Sequence, residues 1–301
     1  MKLNLNSVKQ PPKVHIFFDL DETLISGPNH WKSAAANAIH SLTNHQIYKN
    51  SGGISKPEYV HNFLRWNPEE SAKLKKELGG LTGKKFTDEQ VFLFKVLRDE
   101  IYNKNSNDLK QFDKLIKKTN TNIKNIKPLV KVAVDAYHDQ TEKNIQSGVL
   151  SANKGAVDAI KELLNLGATV SIATKGYDDK QKRKVNEVLF KSENNLRSKI
   201  PVFTTEKKLI WIRKVGEKTP AFYQSLKRKI GAKKTDFLVY IGDRHDSDII
   251  PAKKAGFFTI HIPGRRDKEY LDGIKQSDAD ILASNIPSAM DELKSKLRVG
   301  R

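Results

Sequence analysis

The stretch Val14–Phe18 sets the first constraint on this chain. Its residues, Val-His-Ile-Phe-Phe, suit a buried strand, and a continuous run of this kind belongs to a sheet covered on both faces. The run ends abruptly in Asp19-Leu20-Asp21, with Thr23 two residues further on. Carboxylates at the end of a buried strand are costly unless they are paired or hold a metal. The rest of the chain has to supply both the neighbouring strands and the partners of these acids.

The neighbouring strands come much later. After residue 150 the pattern alternates between strand and helix. Strands are expected over 168–173, 201–205, 236–241, 257–262 and, at an edge, 279–283. Helices are expected over 154–166, 179–192, 219–230, 248–255 and 286–297, and Gly167, Gly231 and Gly256 close three of them. This alternation implies a parallel sheet with helices on both faces, a Rossmann-like three-layer α/β/α core of the α/β class. The first strand belongs to that sheet.

Between the two parts the texture is helical. Helices are expected near 31–45, 56–66, 68–78, 87–102, 108–118 and 126–145. Pro68 suits a helix start and Gly79-Gly80 a stop. Thr87 and Gln90 have the spacing of a capping box. The organisation is therefore a discontinuous core, 14–25 with 150–301, an inserted all-helical domain, 26–149, and a tail, 1–13.

Composition narrows the chemistry. The 301 residues contain no cysteine, which excludes disulfides and thiolate metal sites. No apolar run approaches the ~20 residues of a membrane helix, and the first residues lack the apolar segment of a secretory signal. A cytoplasmic protein without membrane partners is expected. Lys+Arg 54 against Asp+Glu 35 gives a net charge of +19. The excess is concentrated: residues 180–234 hold 17 Lys/Arg and 4 Asp/Glu, or +13. With few aromatics interleaved, this reads as a solvated surface more than as a nucleic-acid interface.

Three strands end in distinctive polar groups. The first ends in Asp19 and Asp21. The strand at 168–173 leads into Thr174 and Lys175. The strand at 236–241 leads into Gly242-Asp243, with Asp246 and Asp248 beyond. Parallel sheets of this class bind ligands at the carboxyl ends of their strands, so these pieces can meet in one crevice. Clustered carboxylates with few histidines favour a hard cation, and Mg²⁺ typically pairs one or two carboxylates with a substrate phosphate. A carboxylate can attack phosphorus. A second one, two residues on along an extended chain, faces the same side and can act as acid and base.

These motifs resemble those of the haloacid-dehalogenase-like hydrolases. Asp19-Leu20-Asp21-Glu22-Thr23 resembles the family's first motif, DxDxT. Thr174 after its strand resembles the second. Lys218 in Gly-Glu-Lys-Thr-Pro resembles the third, and Gly242-Asp243 through Asp248 the fourth, all in family order. The resemblance implies Asp19 as nucleophile and Asp21 as general acid and base. The second acid points to the phosphatase branch. It implies Mg²⁺ held by Asp19, the Asp21 carbonyl, Asp243 and Asp248, and Lys218 offsetting negative charge. Thr174, Lys175 and Thr23 are the candidates for holding phosphate, and Thr23 can alternatively brace its loop. The family's proline normally follows the lysine directly, whereas here Thr219 intervenes, so Lys214 is the fallback. Asp246 competes with Asp248. His245 reads as an exposed loop residue, and His30, Trp31, Arg65 and Trp66 as packing or surface.

The inserted domain takes the place of the family's type I cap. The implied substrate is a small-molecule phosphate ester. Phosphotransfer to a sugar, action on nucleic-acid ends, and a non-catalytic binding protein on the same fold are the alternatives.

Overall fold

The computed structural model describes residues 12–27, 30–54, 58, 60, 68–98, 108–209, 212–264 and 267–299. Residues 1–11 of the expected tail, nearly all of the helix expected at 56–66, and the end of the one expected at 87–102 lie outside them. The chain divides into two compact units, 1–26 with 151–301, and 27–150.

The first unit is built on a parallel sheet. Its strands in chain order are β1 (Val14–Phe18), β4 (Thr169–Thr174), β5 (Val202–Thr204), β8 (Phe237–Gly242), β9 (Phe258–His261) and β10 (Ile281–Leu282). Two short pairs lie outside it: β2 (Ile25–Ser26) with β3 (Ser151–Ala152), and β6 (Glu206–Leu209) with β7 (Ile212–Val215), both antiparallel. The sheet order is β10-β9-β8-β1-β4-β5. Strand β1 is central, with Phe18 level with Ile172 on one side and Ile241 on the other. Because the chain leaves β1 toward opposite edges, the carboxyl end of β1 is the switch point of the sheet.

Side chains alternate across the sheet. Phe17, Ala173, Leu238 and Tyr240 pack on one face with Tyr223, Leu226, Ala252, Ala255 and Phe257. Those five come from the helices Pro220–Lys229 and Ile250–Lys254 and the residues that follow the latter. The helix Ala156–Asn165 packs on β4 and on the terminal helix Ile286–Val299, and buries Ala156, Ala159, Ile160 and Leu163. His15 is a polar residue in the central strand. It is buried, with Nε2 3.3 Å from Asp236 and Nδ1 2.6 Å from the Thr169 hydroxyl, so its hydrogen bonds are satisfied.

Several elements differ from expectation. The helix expected over 179–192 stops at Lys184, continues as one wide π turn, Val185–Leu189, and is followed by a short helix, Asn194–Arg197. The β6–β7 hairpin was not expected. Its strands carry Lys207, Lys208, Arg213 and Lys214, and this charge masks a strand pattern. The edge strand is only two residues long.

In the second unit the helices His30–Asn44 and Lys127–Gln146 pack along each other. Ala35, Ala38 and Ala133 lie in their buried core, and small residues let two backbones approach. Asn37 donates to the Ala136 carbonyl at 2.9 Å. The capping box forms: Gln90 N–H donates to the Thr87 hydroxyl at 3.3 Å, and Thr87 N–H to the Gln90 side chain at 2.9 Å. Among the described residues no helix is long and apolar enough to cross a membrane.

At the far edge, Asp280 fastens β9 to the segment before β10. It accepts from Thr259 N–H at 2.7 Å, the Thr259 hydroxyl at 2.9 Å and Lys253 at 3.0 Å. Burial opposes its charge, but these donors outweigh burial and hold the carboxyl below its ordinary 3.8. A depressed carboxyl contributes stability above about pH 4 that is lost as pH falls through its folded value. Denaturant titrations from about pH 5 to about pH 2 should therefore show wild type losing more stability than Asp280→Asn. Equal losses would refute the assignment.

Candidate active site

The sheet register brings the motif residues together. Asp19 N–H donates to the Ile241 carbonyl at 2.8 Å, which extends the β1–β8 ladder one residue beyond Phe18. The chain then turns tightly. Leu24 and Ile25 N–H both donate to the Leu20 carbonyl, at 2.9 and 3.0 Å. Glu22 sits at φ 65°, a left-handed conformation costly for a non-glycine residue. The Asn153 amide holds it there, donating to the carbonyls of Glu22 at 3.1 Å and Thr23 at 2.7 Å.

Lys218 is the hub. It is buried, and its ammonium donates to Asp19 Oδ1 at 2.5 Å, Asp248 Oδ1 at 2.6 Å and the Tyr240 hydroxyl at 3.1 Å. Tyr240 in turn donates to the Ala173 carbonyl at 2.8 Å. All three ammonium hydrogens are used. Thr219 does not disturb this arrangement. Its hydroxyl caps the helix that begins at Pro220, leaving Lys218 just outside the helix. Lys214 lies on β7, opposite Lys207.

Asp19, Asp243 and Asp248 are all buried, and one carboxylate oxygen from each lies within 4.8 Å of the others. Asp248 also accepts from Arg244 N–H at 3.1 Å. Among the described residues no donor reaches Asp19 Oδ2 or the Asp243 carboxylate. Two glycines permit the packing: a Cβ on Gly242 would meet the Asp248 side chain at 2.6 Å, and one on Gly264 would meet Asp243 Oδ2 at 2.6 Å.

The electrostatics follow. Burial pushes the Asp19 carboxyl up to about 6, against the pull of Lys218 and with a further push from Asp248. Burial, then Asp248 and Asp19, raise Asp243 well above the carboxylate range. Burial disfavours the Lys218 charge, but Asp19 and Asp248 outweigh it and raise its pKa well above the ordinary value. Three buried acids share one buried cation.

The other candidates fall at different places. Thr174 is the last residue of β4 and is buried. Thr23 is buried, and its hydroxyl makes no hydrogen bond among the described residues. Its loop is braced by Asn153 instead. The Lys175 ammonium does not join the cluster but pairs with Glu217 at 2.7 and 2.8 Å. Asp248, not Asp246, lies in the cluster, because the π turn His245–Ile249 carries Asp248 back over β8. Asp246 is exposed and pairs with Arg244 at 2.8 Å.

His245 is not the exposed residue expected. Its ring lies 4.7 Å from that of Tyr270, and its Nε2 accepts from Asp278 N–H at 3.2 Å, because the segment 267–278 folds over the turn. In the helical unit, Trp31 packs on Phe94 at 5.4 Å, and His30 Nδ1 lies 3.1 Å from the Asn144 amide. Arg65 and Trp66 lie outside the described residues.

The family model for haloacid dehalogenase-like hydrolases matches residues 14–256. The chain belongs to this family and is a hydrolase. Its similarity extends to glyceraldehyde 3-phosphate phosphatase of Methanopyrus kandleri, 28% identical over 189 residues, 63% of this chain and 72% of that protein. Among solved structures it resembles a phosphatase of the family from Thermococcus onnurineus, with TM-score 0.55, 15% identity and coverage of 94% of this chain and 97% of that one. A family hydrolase from Entamoeba histolytica matches with TM-score 0.51, 13% identity and coverage of 93% and 99%. At these identities the structural likeness speaks to the fold.

Three partners escaped the sequence reading: Tyr240, Asn153 and Lys184. Lys184 donates to both oxygens of Asp21, at 2.8 and 2.9 Å. A signal was present. Gln181, Lys184, Val185 and Val188 fall on one buried stripe, so a lysine stands at a core position of an otherwise polar helix.

Removing the hub cation leaves buried carboxylates uncompensated. Lys218→Met should lower stability by about 3–5 kcal/mol at neutral pH. Chemical denaturation checks this, and a loss under about 1 kcal/mol would contradict the hub role.

Proposed function

We propose that the protein is a cytoplasmic, Mg²⁺-dependent phosphatase that hydrolyses a small phosphate monoester through an aspartyl-phosphate on Asp19. The observation that carries this reading is the buried carboxylate trio wedged by Lys218 at the switch point of the sheet. The family and its phosphatase relatives support it.

The donor set fits Mg²⁺. The trio offers hard oxygens, and two of the three acids are raised by burial and by one another, so a divalent cation would relieve the charge. Asp19, Asp243 and Asp248 would hold it, with the Asp21 carbonyl completing the set. When bound, the ion supplies charge stabilisation to the phosphoryl oxygens.

The residues divide the rest of the work. Lys218 engages Asp19 Oδ1, which leaves Oδ2 as the attacking oxygen. As the Asp19–phosphorus bond forms, the bond to the leaving oxygen breaks, and Asp21 donates a proton to that oxygen. Asp21 then takes a proton from the water that cleaves the intermediate. Thr174 binds a phosphoryl oxygen, and Lys218 offsets the charge that develops. Lys175, whose ammonium pairs with Glu217, offers its backbone N–H to the phosphate. The helical unit acts as the cap and sets specificity. A small sugar-type phosphate is the substrate class that the M. kandleri relative suggests.

Phosphate release from 4-nitrophenyl phosphate and a panel of small sugar phosphates tests the reaction. Release should require Mg²⁺ and fall to background in Asp19→Asn. Wild-type turnover in that variant would sink the mechanism. A second test separates metal binding from turnover. In metal-free buffer Asp243→Asn should be at least as stable as wild type, since one buried charge is gone. Mg²⁺ should raise the melting temperature of wild type and leave that of Asp243→Asn unchanged. Equal shifts in both would remove Asp243 from the metal site.

A further inference from the structure

Asp21 stands apart from the other acids. Its side chain is 43% exposed, on a loop that has already left the sheet. An exposed carboxylate on a loop samples several rotamers, and acid–base catalysis requires one geometry. The lysine bonded to it is of the opposite kind. The Lys184 side chain is only 9% exposed, on the helix Asp178–Lys184.

That helix is tied to the carboxyl end of β4. Gln181 donates to the Lys175 carbonyl at 2.9 Å, and Asp178 N–H donates to Glu206 at 2.8 Å. Gly176 makes the approach feasible, because a Cβ there would run into Gln181. Lys184 thus connects the loop after β4, which follows Thr174, to the loop after β1, which carries Asp21. The helix widens into a π turn directly after it, a feature frequent beside functional sites.

We propose that Lys184 is a positioning residue for the acid–base step, holding both oxygens of the Asp21 carboxylate so that the side chain stays in one rotamer. The inference rests on the phosphatase reading above. In the first step the bond from Asp19 to phosphorus forms and the bond to the leaving oxygen breaks. The proton on the Asp21 carboxyl passes to that oxygen, leaving the carboxylate that Lys184 holds. In the second step water bonds to phosphorus, the bond from Asp19 to phosphorus breaks, and the proton that the water loses passes to the same carboxylate. A lysine present only to fill the core would affect every substrate alike. A lysine that positions the acid matters most where the leaving group needs a proton.

The test uses a series of phenyl phosphates of similar shape, from phenyl to 2,4-dinitrophenyl phosphate, and compares kcat/KM. In Asp21→Asn the poor leaving group should suffer most. In Lys184→Met, kcat/KM for phenyl phosphate should fall roughly 10- to 100-fold, below the full effect of losing a general acid, and that for the dinitrophenyl ester by no more than about threefold. Lys184→Arg, which keeps a cation able to donate to both oxygens, should restore most of the loss. In the Asp21→Asn background Lys184→Met should add nothing.

A uniform fall across the series, or full additivity with Asp21→Asn, would overturn the inference. Lys184→Gln gives the same reading if the methionine variant melts early. If wild type hydrolyses no ester at all, the phosphatase reading fails and takes this inference with it. If Asp21→Asn shows the leaving-group dependence and the Lys184 variants do not, the phosphatase reading stands and this inference alone falls.

Discussion

The ammonium of Lys218 is the interaction on which the site depends. Asp19 closes the central strand, Asp248 rides on the turn after β8, and both would be prohibitive in a buried position without a counter-charge. Lys218 touches both and spends its remaining hydrogen on Tyr240, which is fastened to the carbonyl next to Thr174. One cation therefore joins the ends of β1, β4 and β8. It is not enough for all the charge present, because among the described residues no donor reaches the Asp243 carboxylate. That imbalance gives the site its capacity for a further cation.

A second ion pair completes the arrangement on the solvent side. Lys218 and Lys184 each serve a carboxylate of the first motif, yet their surroundings differ. Lys218 and Asp19 are both buried, whereas Asp21 is half exposed against a buried Lys184. Burial keeps Asp19 dry and its neighbours fixed. Exposure leaves Asp21 open to water. The chain has two carboxylates two residues apart and gives them opposite environments, which suits two different chemical tasks.

The basic stretch takes on a different meaning in the folded chain. Counted along the sequence, residues 180–234 look like a charged surface. Two of those lysines, 184 and 218, are buried counter-ions of the first motif. Others lie on a hairpin whose charge hid its strands. Lysine count alone could not separate these uses, since a lysine serves as a solvated stem or a buried cation according to what surrounds it.

The sequence by itself determined the parallel sheet, the discontinuous core, the helical character of the inserted region, and the candidacy of Asp19, Asp243 and Lys218. Each of these is written in a local pattern: apolar strands with polar ends, helices closed by glycine, a capping box formed as its spacing implies. Only the tertiary structure decided between Asp248 and Asp246, drew Lys175 away to Glu217, packed His245 beneath Tyr270, and brought Lys184 and Asn153 to the first motif from more than a hundred residues away. The reason is physical. Strand and helix periodicity are short-range properties of the backbone. The partner of a buried charge is whichever donor the packed layers bring within hydrogen-bonding distance.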